Sequence, residues 1–203
     1  MNKQSFGYTV IFTALISFAF VFLLAMANEL TVDRIEFNNE VRLQRSILNA
    51  MGVEFDSDEH AAELFERVEQ VEVEGLSLYS YERDDERLYA KEYSGSGVWG
   101  TIRGHVGISP DGTRTLGLTV LEHQETPGLG GRIDERWFQE QFRNKQLVDG
   151  RLEMTSRDGE GNFEEDSGEI DGITGATGTS DSFANIINAH LEELYNALGG
   201  ESA

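Results

Sequence analysis

Two stretches of this 203-residue chain gather residue types that can do chemistry. The first is Asp171-Gly172-Ile173-Thr174-Gly175-Ala176-Thr177-Gly178-Thr179-Ser180, small and hydroxylated residues just ahead of a helical pattern. Gly175 and Gly178 permit unusual backbone angles, and Ala176 leaves the surroundings of Thr177 uncrowded. A helix opening here, capped by Ser180 or Asp181, offers free N–H groups and a favourable dipole to an anion such as a phosphate. The second is His123-Gln124-Glu125-Thr126-Pro127-Gly128-Leu129-Gly130-Gly131. Pro127 and the glycines fix a turn, and His123 and Glu125 share one face of an extended segment. Backbone N–H groups in such a loop can hydrogen-bond the carbonyl and nitrogen edge of a planar ring. Plainer alternatives stand beside both readings: a helix N-cap in a Gly/Thr-rich turn, and a structural loop with a polar rim. His123-x-Glu125 is also half of a metal site, but no third ligand is evident.

The elements that must hold these stretches emerge from periodicity. Residues 31–51 read as a juxtamembrane helix ending at Gly52. Asp56-Ser57-Asp58-Glu59 starts a short helix whose apolar face is Ala61, Leu64, Phe65 and Val68. Alternation predicts strands over Leu76–Tyr81, Arg87–Tyr93, Val98–Ile108 and Leu116–Leu121, the last two joined by an Asp111-Gly112 turn. A helix is expected over Asp134–Phe142. The polar run 157–169 reads as a solvated loop or hairpin tip. Phe183, Ile186, Ile187, His190, Leu191, Leu194 and Tyr195 make a final amphipathic helix. The class is α+β: an N-terminal apolar helix, then a twisted antiparallel sheet with helices packed on it.

Composition narrows the function. From Phe6 to Ala27 the chain is almost wholly apolar, long enough to cross a bilayer. Ala25-Met26-Ala27 has the pattern of a signal-peptide cleavage site, but the apolar run exceeds a usual signal core, so an uncleaved anchor is the preferred reading. Lys3 precedes the span, while Glu29, Asp33 and Glu36 lie just beyond it, which places the remainder outside the cytoplasm. Net charge is −21, with 15 basic against 37 acidic residues after Lys3. Such a surface repels phosphate backbones, so no nucleic-acid partner is expected. Cysteine is absent, which removes disulfides and thiolate metal or iron–sulfur sites, and the four histidines are scattered. A redox role would need an organic cofactor or a metal held by scattered ligands; the first is simpler, and no metal site is expected.

One apparent motif is set aside. Gly95-Ser96-Gly97-Val98-Trp99-Gly100 matches G-x-G-x-x-G, but residues 101–108 alternate like a strand, whereas a dinucleotide site needs a helix there. These glycines instead mark a bulge or close backbone approach at a sheet rim.

Asp171-x-x-Thr174-Gly175-Ala176-Thr177 resembles the flavin-attachment sequence Asp-x-x-Ser/Thr-Gly-Ala-Thr. With His123-x-Glu125-Thr126-Pro127-Gly128-Leu129-Gly130 some fifty residues earlier, the chain resembles NqrC, the FMN-binding subunit of sodium-pumping NADH:quinone oxidoreductases, and the related RnfG of Rnf complexes. Arg45–Gly52, Gly97-Val98-Trp99-Gly100 and Trp137–Lys145 extend the resemblance over nearly the whole chain. It implies FMN joined by a phosphoester to Thr177, with Asp171, Thr174, Gly175 and Ala176 read by an FMN transferase. His123, Glu125, Thr126, Pro127, Gly128, Leu129 and Gly130 would lie around the isoalloxazine, with Trp99 beside them. It further implies an electron relay among partner subunits of an inner-membrane complex that oxidises NADH, reduces quinone and moves sodium. The expected division is an anchor over 1–28, a juxtamembrane helical segment over 29–75 and a periplasmic FMN-binding domain over 76–200. An RnfG-type subunit, a stand-alone FMN-binding or sensory module, and a purely structural anchor domain are the competing readings.

Overall fold

A computed structural model describes residues 6–155 and 161–199. Lys3 and residues 157–160 of the expected polar loop lie outside the described residues. Two compact units divide the chain, Met1–Glu40 and Val41–Ala203.

Helix α1 spans Phe6–Ala50, so the apolar run and the expected juxtamembrane helix are one element. Nothing between them breaks it, because Asn28 to Glu40 contain neither Gly nor Pro. Its apolar window has a mean hydropathy of 2.6 and is fully exposed within the protein, long and apolar enough to cross a membrane. The helix stops where Gly52 adopts φ 70°, a left-handed end suited to glycine. Helix α2 (Asp58–Phe65) is capped as expected, the Ser57 hydroxyl accepting the His60 N–H.

The sheet is an antiparallel meander in the order β1-β2-β3-β4-β5. Its strands are β1 (Glu69–Val73), β2 (Leu76–Arg83), β3 (Glu86–Ser96), β4 (Thr101–Ile108) and β5 (Thr115–Glu122). Strand β1 was not expected. It is an edge strand whose Glu69, Gln70 and Glu72 stay exposed, so only Val71 and Val73 carry an apolar signal. Positive φ at Glu74 and Gly75, and at Asp84 and Asp85, makes the tight turns after β1 and β2.

Each face of the sheet is covered. The end of α1 and α2 bury Ile47, Leu48, Met51 and Ala61 against Tyr81, Leu88 and Ala90. On the opposite face α4 (Thr177–Leu198) buries Phe183, Ile187, Leu191 and Leu194 against Leu78, Tyr93, Ile102 and Val106. Phe183 is the hub there, with ring centroids 5.2 Å from Phe138, 6.0 Å from Tyr93 and 6.1 Å from Phe142. The helix expected over Asp134–Phe142 is shorter. Extended backbone at Glu135 (ψ 142°) separates a 3-10 turn, Gly130–Asp134, from α3 (Arg136–Glu140). A short parallel pair, β6 (Glu153–Thr155) with β7 (Glu169–Asp171), leads into the hydroxyl-rich stretch.

Candidate flavin site

Strand β7 delivers Asp171 to a buried position, and Gln141 fixes it there. The Gln141 amide donates to Asp171 O at 3.1 Å, while its carbonyl oxygen accepts the N–H groups of Asp171 (2.7 Å) and Asn162 (2.6 Å). Gln141 is fully buried, and nothing in its sequence setting marks it for this task.

From Asp171 the chain turns through Gly175, at φ 80°, into α4. The helix begins at Thr177 and not beyond Ser180 as expected. Ser180 does not cap it, because its hydroxyl is used inside the turn, accepting Ile173 N–H at 2.9 Å and donating to Ala176 O at 3.2 Å. That bond pulls the helix start back by a turn. Thr177, Gly178 and Thr179 thus occupy the first turn, where amides have no carbonyl one turn earlier in the helix to bond.

The hydroxyls of this stretch are now distinguishable. Thr179 is buried and donates to Glu125 Oε2 at 2.6 Å. Ser180 is buried and bonded as above. Thr174 and Thr177 are exposed, and of these only Thr177 lies on the helix.

Two further loops meet this turn. Gly97–Gly100 links β3 to β4 and closes on itself through Gly97 N–H to Gly100 O at 2.8 Å. The expectation of close backbone approach here holds: a Cβ at Gly100 would stand 2.7 Å from Gln124 Oε1. The loop leaving β5 carries His123–Gly131, where Thr126 O accepts the N–H groups of Leu129 (3.1 Å) and Gly131 (2.9 Å).

His123 and Glu125 hold that loop in place. His123 Nδ1 accepts the Glu125 N–H at 3.0 Å, which fixes Nε2 as the protonated nitrogen, 2.8 Å from Asp134 Oδ2. Glu125 Oε1 accepts the N–H groups of Val98 (2.9 Å) and Trp99 (3.0 Å). With His123's nitrogens and Glu125's oxygens so engaged, they do not form the metal half-site considered from sequence. Thr126, Pro127, Gly128 and Leu129 are exposed along the rim, and Gly130 is buried beneath it.

Around Thr177 the rim is apolar. Trp99 is 67% exposed, Val98 49% and Leu129 48%. A Cβ on Gly178 would touch Val98 Cγ2 at 3.4 Å, and one on Gly175 would meet Leu129 Cδ2 at 3.9 Å, so these two side chains flank Thr177. An exposed hydroxyl on a helix's first turn, beside apolar side chains and a glycine-rich backbone, fits a phosphate joined to a planar ring system. Thr179, Gln141 and Val98 were not singled out as site residues from sequence. Thr179 lay within the hydroxyl run, and Val98 and Gln141 within segments that carry the resemblance, but none was assigned a role there.

Comparison with known proteins agrees with this geometry. Residues 97–192 match the FMN-binding domain family. NqrC of Neisseria meningitidis serogroup A, a component of its Na(+)-translocating NADH-quinone reductase, is 38% identical over 86 residues. That alignment covers 42% of this chain but only 33% of the Neisseria protein. An RnfG-type component of the ion-translocating oxidoreductase complex of Vibrio vulnificus is 32% identical over 192 residues, covering 86% of this chain and 85% of that protein. In fold, the chain superimposes on the Parabacteroides distasonis NqrC with a TM-score of 0.63 at 21% identity, over 81% of this chain and 94% of that one. Taken with the three converging loops, the match along nearly the full Vibrio sequence shows that this chain belongs to the FMN-binding family that contains NqrC of Na(+)-translocating NADH-quinone reductases and RnfG of ion-translocating oxidoreductase complexes.

Proposed function

We propose that this chain is a membrane-anchored electron-relay subunit carrying FMN through a phosphoester to Thr177. The observation that carries the reading is the selective exposure of that hydroxyl: Thr179 and Ser180 are buried and bonded, whereas Thr177 opens outward on the first turn of α4. Asp171, Thr174, Gly175 and Ala176 form the sequence presented to an FMN transferase. The first-turn amides of α4 bind the phosphate. Val98, Trp99 and Leu129 shield a ring face from water, while His123, Glu125, Thr126, Pro127, Gly128 and Gly130 shape the loop beneath it. FMN held there supplies the electron exchange between cofactors of partner subunits, and the chain supplies position and electrostatics. No acid, base or nucleophile is required of this chain.

Location and assembly belong to the same reading. Residues 1–28 anchor the chain in the inner membrane, 29–75 connect, and 76–200 form the flavin domain on the periplasmic side. The complex would be a sodium-translocating NADH:quinone oxidoreductase, with the NADH and quinone sites on other subunits. A second reading, an RnfG-type subunit, is favoured by one observation: the Vibrio vulnificus protein aligns along 85% of its length, the Neisseria protein along 33%. Proteins that co-purify in mild detergent decide between the two. The attachment is tested by co-expression with the transferase and ultraviolet illumination of a denaturing gel. A fluorescent band in the wild type, absent in Thr177→Ala, is expected; a band that persists in the variant refutes the assignment.

A further inference from the structure

Glu125 is 4% exposed, and three donors converge on its two oxygens: the N–H groups of Val98 and Trp99 and the Thr179 hydroxyl. With the Thr179 hydroxyl donating, all three bonds are accepted by the carboxyl group, the pattern that a carboxylate makes. Among the described residues no Lys, Arg or His forms an ion pair with it. Glycines on two different loops leave the space it fills. A Cβ at Gly97 would stand 2.5 Å from Oε1, and one at Gly130 2.8 Å from Oε2.

A buried charge without a counter-ion is costly, even when fully hydrogen-bonded. Holding these loops together does not require that cost. A glutamine of the same shape accepts both N–H groups through its carbonyl and donates its amide to the Thr179 oxygen. What glutamate adds is negative charge, bonded to a residue two positions from Thr177.

We propose that Glu125 is a positioning residue with an electrostatic role: it clamps the Val98–Trp99 wall to the first turn of α4, and its buried charge lowers the midpoint potential of a flavin held at Thr177. Added electrons bring negative charge to the site, and a fixed carboxylate within a water-poor wall opposes them. The inference rests on the reading of Thr177 as the FMN attachment point.

The test uses the full chain co-expressed with the transferase and purified in detergent. Reductive titration with dithionite and mediators gives the midpoint potential, and flavin fluorescence anisotropy reports how firmly the ring is held. Glu125→Gln should move the potential of the FMN-loaded chain to a more positive value. Thr179→Val breaks one tie but keeps the charge, so anisotropy should fall while the potential moves less than in Glu125→Gln. A wild-type potential in Glu125→Gln overturns the electrostatic role. Unchanged anisotropy in Thr179→Val overturns the clamp. A wild-type chain without FMN would instead remove the functional reading itself, an outcome distinguishable from both.

Discussion

Glu125 and His105 are both buried among hydrogen-bonding neighbours, one on each side of the sheet, yet Glu125 has a donor for each oxygen while His105 Nε2 has no partner among the described residues. His105 Nδ1 lies 2.8 Å from Ser46 Oγ at the end of α1, and Ser46 Oγ lies 2.6 Å from Thr119 Oγ1 on β5. Tyr79 meets the imidazole edge-on, at 5.9 Å between centroids. Burial, with a smaller contribution from Arg103, lowers the His105 pKa from 6.5 to about 4. One side of the sheet therefore surrounds a carboxyl group with donors. The other keeps a titratable ring neutral and ties a helix end to the sheet with it. Neutrality suits a structural joint, because a neutral ring with one unbonded nitrogen costs less to bury than a charged one. A buried carboxylate, at greater cost, is what the proposed role of Glu125 adds.

The largest effect that would sharpen this contrast comes from the core beneath the site. Phe183→Ala empties the position around which Tyr93, Phe138 and Phe142 pack, and should cost about 3–5 kcal/mol in denaturant unfolding. A loss below about 1 kcal/mol would mean α4 is held mainly by its polar ties.

Next comes the pH response of the joint. The His105 pKa is lower folded than unfolded, so on acidification the unfolded chain takes up the proton first. The contribution is constant above pH 6.5, falls away between pH 6.5 and about 4, and is gone below that. About 3 kcal/mol of stability should be lost across that window relative to His105→Gln, measured as the difference between their unfolding free energies. Parallel pH profiles would contradict a buried neutral imidazole.

A smaller effect is expected where α1 lies closest to the sheet. A Cβ at Gly107 would stand 1.9 Å from Ala50 O, too close for any side chain without movement. Gly107→Ala should destabilise by about 1–3 kcal/mol and leave flavin loading intact, since Gly107 is on the His105 side of the sheet. Loss of loading at full stability would show the two faces to be coupled.

The smallest is a control on the surface. Arg151 and Glu192 pair at 2.6 Å, both about half exposed, and Arg151→Ala should change stability by at most about 1 kcal/mol.

How much of this was legible in the sequence depended on distance along the chain. Strands β2 to β5 showed through β-branched, aromatic and alternating residues bounded by turn signals, although both faces of the sheet are covered. The acidic edge strand β1 did not, since two valines among glutamates make too short a pattern. The start of α4 was misplaced because the Ser180 hydroxyl has two uses, cap or turn lock, and tertiary packing chose the second. Thr177 and the His123–Gly130 loop could be named because they are contiguous motifs. The clamp could not, as Glu125 reaches partners 27 positions back at Val98 and 54 positions ahead at Thr179. Gln141 is equally remote, 30 positions from the Asp171 it fixes.

The central claim meets its most direct test in intact mass spectrometry of the protein purified from its native membrane, with peptide mapping. A mass increased by one FMN less one water is expected, located on Thr177 and lost in Thr177→Ala. An unmodified polypeptide, or FMN mapped to any other hydroxyl, would contradict it.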